Sequence, residues 1–158
     1  MVTRVLCLGN ELLADDAFGA LVAGRLAAWT TPDVDVVFTA NTGFSLIDLL
    51  LDVDRLIVVD AISTGSARPG TVRAVREGDV AEVSGGSPHY IGLFEALALA
   101  RALEMPAARE MAILVVEAAD CFTVGGAMHP AVSAAVPKVV ALVKEMLAAT
   151  DLSAVVGS

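Results

Sequence analysis

Asp16, Asp60 and His89 are three side chains whose types suit joint chemistry. They stand 44 and 29 residues apart in the sequence. Two carboxylates and an imidazole supply oxygen and nitrogen ligands for a divalent transition metal and leave coordination positions open. Asp16 lies in LGNELLADDAFG, residues 8–19, where Glu11, Asp15 and Asp16 stand between Gly9 and Gly19. A glycine-bounded turn after an apolar run is where nucleotide-binding proteins cradle phosphate. Here the turn carries the wrong charge for phosphate and the right charge for a cation. It also matches neither the dinucleotide nor the P-loop glycine pattern.

The elements that must position these residues follow from hydrophobic periodicity. RVLCLG (4–9) reads as a first strand, and the stretch after Asp15 and Asp16 has helical apolar spacing. VDVVFTA (34–40) reads as a second strand, and GFSLIDLLLDV as a helix beginning near Ser45. DRLIVVDAI (54–62) is a buried strand ending at Asp60, and TVRAVREG (71–78) alternates like an edge strand or half of a hairpin. A Gly/Ser/Pro loop then leads into a long helix, with Ser87 as its cap and Pro88 in its first turn. EMAILVVEA (110–118) is another buried strand, and residues 129–150 form a last helix that Pro137 kinks or splits. Residues 1–150 read as one domain, and the tail 151–158 is expected to fray. Such alternation implies an α/β fold: a mostly parallel twisted sheet between helical layers, a three-layer α/β/α sandwich. Ligands in these sheets bind beyond the carboxyl ends of the strands. Asp16, Asp60 and His89 all fall at that edge.

Two readings stand for each polar residue. Helix N-termini near Asp16 and His89 favour an ionised carboxylate and a neutral imidazole, the forms that bind metal. Against this, Asp15 and Asp16 are ordinary helix-start residues, and a histidine in a Ser/Pro loop is an ordinary cap or surface group. His129, before Pro130, reads as a helix-start residue, and Glu117 and Asp120 as rim or loop acids. Cys7, in mid-strand, reads as a buried thiol, and the two cysteines, Cys7 and Cys121, form no CxxC pair.

Composition narrows the function classes. The net charge is −9, from 19 acids against 10 bases, which disfavours nucleic acid as a partner. Hydrophobic residues make up 56% of the chain, but charged residues interrupt every apolar run before membrane-spanning length. The first ten residues lack a signal-like apolar core, so a cytoplasmic protein is expected.

LCLGNELLADDAFG, DRLIVVDAI and SPHYIGLFEALALARAL, in this order and spacing, resemble the hydrogenase maturation endopeptidases. The resemblance extends over nearly the whole chain, and MHPAVSAAVPKVVALV is similar to the family's last helix. The first motif follows G-N-x-L-x-x-D-D/E-x-x-G. The resemblance implies a protease that removes a C-terminal extension from the large-subunit precursor of a nickel–iron hydrogenase once nickel is inserted. It implies that the second acid of the first motif, the strand-three aspartate and the loop histidine bind metal; these are Asp16, Asp60 and His89. The nickel is then supplied by the substrate. Two departures are visible: Ala17 replaces a common glycine, and TANTGFS (39–45) replaces an acidic glycine-rich loop associated with substrate choice.

No serine sits in a G-x-S-x-G elbow and no Cys–His pair is evident, so metal-assisted amide hydrolysis is the expected chemistry. Either Asp16 or Asp60 serves as base. The competing reading is a non-catalytic metal- or ligand-binding module of flavodoxin-like shape.

Overall fold

Five strands form a single sheet in the order β2-β1-β3-β5-β4. They are β1 (Thr3–Leu8), β2 (Val34–Thr39), β3 (Arg55–Ile62), β4 (Val72–Arg76) and β5 (Glu110–Glu117). The computed structural model describes residues 1–76 and 88–156, with backbone alone over 88–92. β1 pairs in parallel with β2 and β3, and β3 with β5, whereas β4 runs antiparallel to β5 at one edge. The expected edge strand is therefore present.

Alternation along the strands divides the core in two. Val5, Cys7, Ile57, Val59, Leu114 and Val116 face a cluster that includes Phe18, Val22 and Leu26 of α1 (Phe18–Leu26). Val132 of α3 (Pro130–Ala134) and Val139 and Val143 of α4 (Val136–Ala148) complete that layer. Leu6, Leu8, Leu56, Val58, Ile62, Ile113 and Val115 face the other way. They meet Leu46 and Leu50 of a 3-10 segment (Gly43–Leu50) and Leu93, Ala96 and Leu97 of α2 (Pro88–Ala102). The result is the expected α/β/α sandwich. Each fully buried aliphatic side chain contributes roughly 1.5–3 kcal/mol, so both faces of β1, β3 and β5 drive folding.

Three local features differ from the sequence reading, and the break expected at Pro137 is present. Residues 43–50 form a 3-10 helix instead of an α-helix. The Ser45 hydroxyl donates to the Thr42 carbonyl at 2.6 Å, engaging the acceptor at the helix start. The last helix is split at Ala135, since Pro137 has no N–H to give the Ser133 carbonyl. β3 continues two residues past Asp60 to Ile62. The tail, expected to fray over 151–158, carries a short helix α5 (Ser153–Val156) as far as the described residues run. Leu152 is buried there, and its N–H donates to Glu110 Oε2 at 3.2 Å. The proposed Ser87 cap lies outside the described residues.

Candidate functional site

The loop after β1 folds back on itself around Asp16. Gly9 has φ +149°, and a Cβ there would lie 2.2 Å from the Asp16 carbonyl oxygen. A glycine is required to let the chain pass so close. The Asn10 N–H donates to Asp16 Oδ2 at 2.9 Å, and the Asp16 N–H donates to the Leu13 carbonyl at 2.7 Å. Asn10 Oδ1 in turn accepts the Leu12 N–H at 3.0 Å. Residues Ala14–Ala17 then make one 3-10 turn that runs into α1. Gly19 lets α1 sit against β1, because a Cβ there would lie 2.3 Å from the Leu8 carbonyl oxygen. The loop thus occupies the place of a phosphate cradle, but the Asp16 carboxylate takes the Asn10 amide that a phosphate would need.

Asp60 lies on β3, fully buried, in the alternation set of Leu56, Val58 and Ile62. Its Oδ1 accepts the Ala61 N–H at 2.8 Å. Asp16 is 6% exposed, and the charges of Asp16 and Asp60 both act on one thiol, that of Cys121. Burial pushes the Cys121 thiol up to about 12, and the charges of Asp16, Asp60, Asp15 and Asp120 push the same way. Cys7 is also pushed up to about 12, by burial first and then by Asp60. Two acids 44 residues apart in sequence therefore act on a common point at the carboxyl edge of the sheet. Each carboxyl group is oriented by a backbone N–H, which suits hard oxygen donors aimed at a cation.

His89 stands in the first turn of α2, on the backbone, and its side chain lies outside the described residues. α2 covers the face of the sheet to which the alternation assigns Asp60. Among the described residues, which exclude the His89 imidazole, no three His, Cys, Asp or Glu side chains form a group able to hold a metal.

The other polar residues fall as follows. Asp15 stands in the first turn of the 3-10 segment, as expected of a helix-start residue, and beyond that it is 1% exposed and bonds across the molecule to Ala119, Asp120 and His129. Glu117, expected as a rim or loop acid, is instead buried. It is 1% exposed and accepts from the Thr64 N–H at 2.8 Å, the Thr64 hydroxyl and Arg73 at 2.9 Å. Nothing local in the sequence marks these two as buried, because their partners are dozens of residues away. Asp120 is a loop acid, as expected. It accepts from Phe122, Thr123 and the Thr123 hydroxyl, and these bonds hold its carboxyl below the ordinary value. His129 caps α3, its Nδ1 accepting the Ala131 N–H at 3.1 Å. Leu12, Phe122 and Val124 are exposed around this loop, where the Gly125 N–H donates to the Leu12 carbonyl at 2.8 Å.

Comparison with known proteins agrees with the fold. Residues 22–146 match the family model for hydrogenase maturation protease. The hydrogenase expression/formation protein HupM of Azotobacter chroococcum is 32% identical over 149 residues, covering 91% of this chain and 70% of that protein. The hydrogenase 2 maturation protease of Escherichia coli is 33% identical over 101 residues, covering 61% of this chain and 62% of that one. For HupD of Rhizobium leguminosarum the match spans 50% of the relative's length. Among solved structures, the hydrogenase maturating endopeptidase HybD from E. coli superposes with a TM-score of 0.82 at 25% identity, covering 94% of this chain and 93% of that one. The hydrogenase maturation protease HybD from Thermococcus kodakarensis gives 0.75 at 26% identity, with 92% and 99% covered.

Proposed function

Because the chain belongs to the hydrogenase maturation protease family, we propose that it is an endopeptidase acting on the large-subunit precursor of a nickel–iron hydrogenase. It removes the precursor's C-terminal extension after nickel has been inserted, and it does so in the cytoplasm. No helix among the described residues is long and apolar enough to cross a membrane. The nickel arrives as cargo of the substrate and is received by Asp16, Asp60 and His89. What supports this reading is that two buried carboxylates, one in the loop after β1 and one on β3, both bear electrostatically on the Cys121 thiol.

The ion brought by the precursor supplies Lewis-acid polarisation of the scissile carbonyl. The chain's own residues do the rest. Asp16 and Asp60 attract and orient the cation and so fix the precursor's C-terminus against the sheet edge. One of the two takes a proton from the attacking water as its oxygen bonds to the carbonyl carbon. When the C–N bond breaks, that proton passes to the leaving amine. A precursor without nickel has no anchor, so cleavage reports completed metal insertion.

Asp16→Asn, Asp60→Asn and His89→Ala test this with a nickel-loaded precursor, read by the mass of the large subunit. Each is expected to slow processing by about a hundredfold or more, the scale of a lost acid–base or electrostatic group. Near-wild-type processing by all three would sink the assignment.

A further inference from the structure

We propose that Asp15 is the positioning residue of this site: its carboxylate fastens the segment 119–129 to the turn that carries Asp16, and Asp16 keeps its orientation only while that fastening holds. The inference rests on the functional reading above, but its geometry is independent of it. Asp15 Oδ2 accepts the N–H groups of Ala119 and Asp120 at 2.8 and 2.9 Å, and Oδ1 accepts the N–H of His129 at 2.7 Å. The Asp15 N–H donates in return to the Asp120 carbonyl at 2.8 Å. One side chain thereby closes both ends of a segment more than a hundred residues away in sequence.

Asp15 and Asp16 share a single 3-10 turn, so the two cannot move separately. Asp16 is gripped on its far side by the Asn10 N–H. The turn is thus held between Asn10 and the 119–129 segment. That segment also carries Cys121. Loosening Asp15 frees the turn at one end and shifts the Asp16 carboxyl relative to Asp60. Charge type matters here. Three N–H donors converge on two oxygens, and an amide replacing the carboxylate must turn its NH2 toward at least one of them.

Asp15→Asn is the first test. His129→Pro is the second: its φ of −58° already suits proline, and it removes the N–H donor to Asp15 together with the Nδ1 cap on Ala131. Three readouts are taken: amide hydrogen exchange, kcat, and KM for a nickel-loaded precursor. The Ala119 and Asp120 amides should lose protection in both variants, and the His129 amide in Asp15→Asn. The Asn10 amide, which is bonded to Asp16, should lose protection in both as well. A residue that only fastened a loop would leave Asn10 protected. We expect kcat to fall about tenfold or more with KM within about threefold, as for a misplaced catalytic group. Retained protection at Asn10, or unchanged kcat with Ala119 and Asp120 exposed, overturns the proposal. If the wild-type chain cleaves no precursor, the functional reading fails, and exchange at Asn10 alone then decides the role of Asp15.

Discussion

Gly19 and Gly24 lie in the same helix, α1, and helix propensity alone expects each to gain from replacement by alanine. That gain is about 0.8–1 kcal/mol for an exposed interior position. The surroundings of the two differ. A Cβ at Gly24 meets nothing within 4 Å, whereas one at Gly19 would stand 2.3 Å from the Leu8 carbonyl oxygen. That is about 1 Å inside ordinary contact, and the atom it meets is backbone, which cannot rotate away. Forcing a methyl group into a packed contact costs roughly 1–3 kcal/mol, and here the upper part of that range applies. Gly24→Ala should therefore raise the melting temperature by about 2–4 °C, at about 2–4 °C per kcal/mol for a domain of this size. Gly19→Ala should lower it by roughly 2–8 °C after the propensity gain is set against the clash. Thermal melts of both variants by far-UV circular dichroism measure this, with urea midpoints as a check. A Gly19→Ala protein that melts at or above the wild type would refute the close approach of α1 to β1. A Gly24→Ala protein that loses stability would refute the open surroundings of that position.

Two further outcomes follow from buried groups. Glu117→Gln removes the charge that holds Arg73 and leaves an amide facing donors from Thr64, so the urea midpoint should fall by the equivalent of about 2 kcal/mol; an unchanged midpoint contradicts the buried contact. Cys7 has its folded pKa raised from 9.0 to about 12, so the stability it contributes is present below pH 9 and lost as pH rises toward 12. At pH 10 the loss from this one thiol is ~1.4 kcal/mol relative to its neutral form. The fall in urea midpoint between pH 8 and pH 10 should be shallower in Cys7→Ala, and an equal fall in the two proteins would show that the thiol ionises alike folded and unfolded.

The sheet and its layers are legible in the sequence because β1, β3 and β5 are buried on both faces and read as uninterrupted aliphatic runs. The same runs locate Asp16 after β1 and Asp60 on β3. Spacing says little where a side chain's environment is built by distant residues. Asp15 reads only as a helix-start acid and Glu117 as a rim acid, because the amides and the arginine that bond them lie 104 and 44 residues away. The tail, expected to fray over 151–158, is too short to order itself by local contacts. It is held by Glu110 and by the cover over Leu152, neither of which is local. Residues 43–50 are a 3-10 helix, a distinction between helix types that hydrophobic periodicity does not draw, and the Ser45 hydroxyl bond at its start is equally invisible to it.

The amino edge of the parallel strands gathers both ends of the described chain. The Val2 N–H donates to Asp54 just before β3, and the Val2 carbonyl accepts from Asp54 and Arg55. At the other end, Arg55 reaches the Ala149 carbonyl and Arg76 the Ser153 carbonyl. Asp16 and Asp60 lie across the sheet at its opposite edge. An affinity handle or a surface linker attached at either end would therefore emerge on the far side. Immobilised in that way, the molecule turns the edge that carries Asp16 and Asp60 away from its support.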